Sequence, residues 1–94
     1  MKNKHIGSGF DDFLKQEGLL EEASAAATKR VIALQIQQLM KQKHLTKKEM
    51  TFRMGIKSRI VLDRLLDPDN VSVTLLSLEK TANALGKRLA VRFI

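Results

Sequence analysis

Hydrophobic residues recur at helical spacing along most of the chain, and turn-forming residues separate the runs. The longest run covers residues 20–43, contains neither glycine nor proline, and is rich in Ala, Leu, Gln and Lys. Its apolar positions repeat every three or four residues, which predicts the longest helix of the molecule. Ahead of it, Phe10, Phe13 and Leu14 predict a short amphipathic helix that ends at Gly18.

Three shorter helices are predicted in the second half of the chain. Each begins at a serine or threonine suited to cap a helix N-terminus, and each ends at a glycine or at the Asp-Pro-Asp-Asn turn. Thr46 and Glu49 have the spacing of a capping box, in which each side chain bonds the backbone amide of the other residue. The predicted segments are 46–54, 58–66 and 74–85.

The last eight residues, KRLAVRFI, alternate between two faces, which predicts a β-strand. Leu89, Val91 and Phe93 share one face. A lone strand leaves its backbone groups unpaired, and no other segment of the chain has a strand pattern. We therefore expect it to pair with the same strand of a second copy, which makes these three residues the predicted contacts of a homodimer.

The predicted fold is all-α, with about five helices and one C-terminal strand. Three segments follow from this pattern. Residues 1–19 form a flexible arm with the short amphipathic helix, residues 20–86 form the main helical domain, and residues 87–94 form the dimerisation strand.

Charge and composition narrow the classes of function. The chain has 94 residues, no cysteine and a formal charge of +7, and residues 1–22 carry a net −2, which leaves +9 for the rest. This balance favours an acidic partner such as nucleic acid. No segment has the composition of a secretory leader or a membrane span, and the lack of cysteine suits a reducing compartment, so we expect a soluble cytoplasmic protein with no membrane partner.

Catalytic chemistry finds no support in the sequence. It contains no glycine-rich phosphate loop, no nucleophile elbow and no Ser/His/Asp set. His5 and His44 have no second metal ligand near them in the sequence, and the paired aspartates are better explained as helix caps and turn residues. We expect neither an enzyme nor a cofactor.

The two short helices that flank Gly55 have the arrangement of a helix-turn-helix. In that motif the first helix crosses the DNA backbone, and the second presents its N-terminal residues to base edges in the major groove. Basic residues lie at the start of both helices, where phosphate contact explains them and the helix dipole does not. The predicted DNA-binding residues are Thr46, Lys47, Lys48, Lys57, Ser58, Arg59, Val61 and Asp63.

Roles within this set differ in kind. Arg59 can bind guanine with its planar fork, Val61 or its neighbour Ile60 can touch a thymine methyl group, and Asp63 can accept from cytosine. Which of the residues from Lys57 to Arg59 meets a base edge is left open by the pattern.

Several basic residues have a structural alternative. We expect Arg64 to pair with Glu49 across the two short helices, and Lys29 with Arg30 to lie on a solvated face of the long helix. Two other classes of function also stay open: a protein-interaction module that does not read DNA, and a non-specific nucleic-acid binder.

Residues 45–87, LTKKEMTFRMG…LDRLLDPDNVSVTLLSLEKTANALGK, resemble the lambda-repressor-like, or Xre/Cro-type, helix-turn-helix family. Together with the preceding FDDFLKQEG, they are similar to HigA-like antitoxins encoded beside RelE-fold toxins. The resemblance implies a homodimer that represses its own promoter at an inverted-repeat operator in double-stranded DNA, and that neutralises a partner toxin. The family usually has a glutamine where this chain has Lys47, a residue that can still meet phosphate.

Overall fold

The computed structural model describes the backbone of residues 8–94 and the side chains of residues 20–94. This part of the chain is all-helical, which confirms the predicted class. Its four helices are α1 (Ser8–Gln42), α2 (Lys47–Met54), α3 (Arg59–Leu66) and α4 (Leu75–Ala84). The expected flexible arm lies for the most part in residues 1–7, outside the described residues.

The predicted break at Gly18 is wrong, and α1 is one helix where two were expected. A helix ends at glycine when that glycine takes a left-handed conformation, and only Gly55 and Gly86 do so among the described glycines. Gly18 instead continues the helix, because strong helix formers on both sides offset its cost of about 1 kcal/mol. The helix count is therefore four, and the expected boundary between residues 19 and 20 falls inside α1.

Local chemistry fixes the ends of the short helices as the sequence predicts. Thr46, Ser58 and Thr74 are the N-caps of α2, α3 and α4, and each accepts a hydrogen bond from a backbone amide in the first turn of its helix. These bonds satisfy amides that have no partner within the helix. Gly55 ends α2 at φ 69°, a conformation that glycine adopts without the steric cost of a side chain.

The core lies where the second half of α1 meets the three short helices. Met50, Leu62 and Leu65 are the largest fully buried side chains, and α2 packs against both α3 and α4 while α1 packs against α3. The remaining apolar members of the core are Ile36, Met40, Met54, Ala84 and Leu85. These contacts hold α2 and α3 together as one unit.

The first half of α1 extends away from this core. Between Leu20 and Thr28 the side chains are exposed, apart from half-buried Ala26, and from Leu20 onward Lys29 is the first buried residue. The molecule is accordingly elongated, with principal extents of 55 × 25 × 20 Å. Residues 20–28 of α1 are thus a surface element and contribute no side chain to the core.

No strand forms in the described residues, so the strand prediction for residues 87–94 is wrong for the single chain. The physical reason is that no other segment among residues 8–94 offers a strand edge with which residues 87–94 can pair. Leu89 is half-buried, whereas Val91, Phe93 and Ile94 are exposed.

None of the four helices combines the length and the apolar character that crossing a bilayer requires.

Candidate nucleic-acid interface

The turn between α2 and α3 is held by backbone hydrogen bonds and by one apolar anchor. The Gly55 amide donates to the Phe52 carbonyl at 3.1 Å, and the Ile56 amide donates to the Thr51 carbonyl at 3.2 Å. Ile56 packs against the core, and Ser58 accepts from the Ile60 amide at 3.1 Å. The direction in which α3 leaves the turn is thereby fixed.

The N-terminal end of α3 presents exposed side chains of the types predicted for DNA contact. Lys57, Ser58 and Arg59 are all exposed, and within residues 20–94 neither cation forms an ion pair. Ile60 follows them and is 58% exposed. Two free cations, a hydroxyl and an apolar group therefore lie together on the outer side of the helix start.

Val61 does not belong to this surface. It is half-buried and packs against the core, whereas its neighbour Ile60 points outward. Ile60 is therefore the apolar residue more available for such a contact, whereas the contact of Val61 with a base stays a prediction. The sequence indicates this burial, because Val61 precedes buried Leu65 by four residues and therefore lies close to the same side of the helix.

Lys47 and Asp63 bind each other across the α2–α3 pair. The Lys47 ammonium nitrogen lies 3.3 Å from Asp63 Oδ1, and about half of each side chain is exposed. A pair this accessible contributes only about 0–1 kcal/mol, so either partner can leave it for a stronger contact. The sequence named both residues as separate DNA contacts, and the structure shows that the two are coupled.

Thr46 and Glu49 form the predicted capping box. The Glu49 amide donates to Thr46 Oγ1 at 3.1 Å, and the Thr46 amide donates to Glu49 Oε1 at 2.9 Å. The hydrogen bond from the Thr46 backbone amide is the main cause that lowers the pKa of Glu49. The predicted pairing of Arg64 with Glu49 does not occur among the described side chains, because the box already holds that carboxylate. Lys48, next in the chain, is exposed.

Lys29 has a structural role that the sequence does not predict. It was expected on a solvated face, yet it is 2% exposed, and its ammonium donates to the carbonyls of Arg64 at 3.0 Å and Asp67 at 2.5 Å. A cation at these carbonyls interacts favourably with the C-terminal end of the α3 dipole. Burial lowers the pKa of Lys29, and the charge of Asp67 opposes that shift.

The signal for Lys29 lay in its spacing. Lys29, Ala33, Ile36 and Met40 share one face of α1, and all four are buried. The lysine thus joins α1 to the end of α3 and fixes the far end of the helix whose start carries the exposed cations.

Two side chains of the Asp-Pro-Asp-Asn turn, Asp67 and Asn70, accept hydrogen bonds from backbone amides. Asp67 Oδ1 accepts from the Asp69 amide at 2.9 Å, and Asn70 Oδ1 accepts from the Ser72 amide at the same distance. In the part of the chain that the structure describes, no three His, Asp or Glu side chains are grouped to hold a metal ion.

Comparison of the chain with protein-family models, with curated proteins and with solved structures gives no match. Any function is therefore inferred from the residues of this chain and from the geometry of α2 and α3.

Proposed function

We propose that the chain is a sequence-specific DNA-binding transcriptional regulator, a repressor, in which α2 and α3 act as a helix-turn-helix. The observation that carries the proposal is the surface at the start of α3, where Lys57, Ser58, Arg59 and Ile60 are exposed on a helix whose other face is buried. In such motifs the N-terminal residues of the second helix read base edges in the major groove.

The two kinds of contact have different tasks in this mechanism. Lys48 and Lys57 neutralise phosphates, and Lys47 joins them when it leaves Asp63, so that released counterions supply most of the affinity. Arg59 supplies specificity by donating two hydrogen bonds to the O6 and N7 atoms of a guanine, while Ile60 packs against a thymine methyl group. The capped α2 lies across the backbone, with Thr46 and Lys48 nearest to it.

The regulator is proposed to act as a homodimer. One helix-turn-helix contacts too few bases for a specific site, whereas two related by a twofold axis bind an inverted repeat with half-sites about 34 Å apart. Residues 87–94 are proposed to pair as antiparallel strands between the copies, with Leu89, Val91 and Phe93 in contact. Two features support this pairing: the alternating sequence, and the exposure of Val91 and Phe93 in the single chain.

The proposal extends to the biology that the sequence resemblance implies. A HigA-like antitoxin represses its own operon and binds a RelE-fold toxin, and such a regulator works in the cytoplasm, where its operator is. Residues 20–28 support a role of this kind, because they lie clear of the DNA-reading unit and expose polar side chains such as Glu21 and Glu22 to a protein partner.

The test is binding of the purified protein to the DNA upstream of its own gene, at two salt concentrations, with an unrelated duplex as competitor. The variant combines Lys57→Ala with Arg59→Ala. A matched control, Arg30→Ala with Lys87→Ala, removes the same charge from exposed positions away from α3. Loss of a base contact and a phosphate contact lowers operator affinity by about tenfold to a hundredfold in the variant, and much less in the control.

Three results would contradict the proposal. Equal affinity for both duplexes would indicate a non-specific nucleic-acid binder. No binding to either duplex would indicate a protein-interaction module. An α3 variant that binds the operator as tightly as the wild type would show that the start of α3 does not read the DNA.

A further inference from the structure

The side of α1 that faces away from the core carries an exposed apolar stripe. Leu20 is 68% exposed, and Val31 and Leu34 are each 54% exposed, with exposed Ala27 between them. At 3.6 residues per turn these four residues, here called the α1 stripe, fall on one side of the helix, opposite the buried face. Large aliphatic side chains in a row at this spacing are typical of a helix that packs against another helix.

The α1 stripe is complementary to itself. Leu20, Ala27 and Leu34 follow one another at intervals of seven residues, so their sequence of sizes is large, small, large from either end. Two copies that run in opposite directions and cross at Ala27 place each Leu20 against the partner's Leu34. The small alanine at the centre lets the two helix backbones approach closely. Contact of one surface with its own copy is what a twofold interface requires.

The charge along α1 selects the antiparallel direction. From residue 8 to residue 22 the helix sequence carries five acidic residues and one lysine, whereas residues 23–42 carry three basic residues, of which Arg30 and Lys41 are exposed, and no acidic one. An antiparallel pair brings the acidic half of each helix beside the basic half of the other, and it also opposes the helix dipoles. A parallel pair would bring like charges together along the whole contact.

We propose that a second copy of this chain covers the α1 stripe, with the two α1 helices antiparallel and crossing near Ala27. This contact does not depend on DNA binding, and it is separate from the pairing of residues 87–94. Where both contacts form, the chain has two different twofold interfaces, and the closed particle contains four copies.

Disulfide trapping tests the contact and its direction on the full-length chain, which has no cysteine of its own. Under mild oxidation we expect Ala27→Cys alone to form a covalent dimer. Leu20→Cys mixed with Leu34→Cys forms the mixed covalent dimer, whereas Leu20→Cys alone does not. Two copies of residue 20 lie about 20 Å apart along an antiparallel pair, far beyond the reach of a disulfide. Leu76→Cys, at a leucine of α4 that is 64% exposed, gives the background of random collisions.

Two trapping results would overturn the proposal. Self-linking of Leu20→Cys above the Leu76→Cys background would mean that the helices pair in parallel. No mixed dimer above that background would mean that something other than a second copy covers the stripe.

A measurement without oxidation gives an independent answer. Leu34→Lys places a charge in the stripe, and we expect it to halve the particle mass measured by light scattering, because one of the two twofold contacts is lost. Leu76→Lys adds the same charge elsewhere and leaves the mass unchanged. Both leucines are exposed in the single chain, so equal helicity by circular dichroism is expected for the two variants. An unchanged mass for Leu34→Lys would overturn the proposal.

Discussion

A single lysine joins the longest helix to α3, the helix that carries the proposed DNA-reading surface. Lys29 is almost fully buried, and it donates to the carbonyls of Arg64 and Asp67 at the end of α3. A buried cation is tolerated only when its donors are bonded, and here two backbone acceptors and the dipole of α3 perform that task. Removal of the ammonium takes this donor from both carbonyls, although the Asp67 carbonyl keeps the hydrogen bond from the Asn70 amide at 3.2 Å.

Lys29→Met keeps most of the side-chain volume and removes the charge and both hydrogen bonds. We expect it to lower the free energy of unfolding by about 2 kcal/mol, because two hydrogen bonds from a charged donor are lost and the Arg64 carbonyl loses this partner. Urea denaturation followed by circular dichroism measures the change. Lys41→Met, at an exposed position of the same helix, is the control and changes stability by less than about 0.5 kcal/mol. Equal stability of the two variants would show that the Lys29 contacts add nothing.

Glu49 makes the stability of the protein depend on pH in the acid range. Hydrogen bonds from Thr46 lower its pKa below the ordinary value of 4.5. The folded chain therefore holds the proton less tightly than the unfolded chain, so the stabilisation is complete above pH 4.5 and is lost as the pH falls through the folded-state pKa. Glu49→Gln removes this titration. We expect its stability to fall less than that of the wild type between about pH 5 and pH 3, measured by thermal unfolding. Parallel curves for the two proteins would contradict the assignment.

At the scale of elements, Gly18 and Gly55 show why one helix end could be predicted from the sequence and another could not. Both glycines follow a segment whose apolar residues recur at helical spacing, yet only Gly55 has a positive φ. Gly55 follows a helix whose start is fixed by the Thr46 box, and Ile56 behind it is held by the core. After Gly18 the first described side chain, Leu20, is 68% exposed and is not held by the core, and the helix continues through the glycine.

Alanine at these two glycines should have opposite effects. A Cβ meets no atom within 4 Å at either position, so only the backbone conformation matters. Gly55→Ala forces a left-handed conformation on alanine and lowers the free energy of unfolding by about 1 kcal/mol. Gly18→Ala favours the helix by a similar amount and raises the helix signal of α1 at 222 nm without lowering stability. Loss of stability in both variants would mean that Gly18 is a helix end in solution.

The inward or outward direction of the α3 side chains depends on what packs against the helix, and it could be only partly predicted. The capping residues and the exposed basic cluster followed from local sequence signals. The packing of Val61 against the core and the ion pair between Lys47 and Asp63 depend on contacts between helices, which no local sequence pattern contains. The sequence therefore predicts an exposed basic surface at the start of α3, whereas the structure is needed to show which side chains of the helix are exposed on it.

At the scale of the whole molecule, the C-terminal segment is the part whose structure a single chain cannot complete. Its alternating pattern predicts a strand, and the isolated chain provides no edge, so residues 87–94 form no regular element there. Val91 and Phe93 lie on one side of the alternation and are 67% and 99% exposed. Such exposure is expected of a segment whose pairing partner is another chain, and it makes the proposed homodimer testable at these two side chains.

Val91→Lys with Phe93→Lys should separate the two proposed strands, because the apolar face is lost and like charges would meet across the axis. We expect the particle mass to halve, operator affinity to fall at least tenfold, and the slope of log affinity against log salt to fall by about half, since one subunit contacts half as many phosphates. Ala90→Lys with Ile94→Lys adds the same charge to the other face and should keep the dimer. If the first variant retains its mass and its salt slope, residues 87–94 do not join the two copies, and the contact that spaces the two α3 helices on the operator must lie elsewhere on the surface.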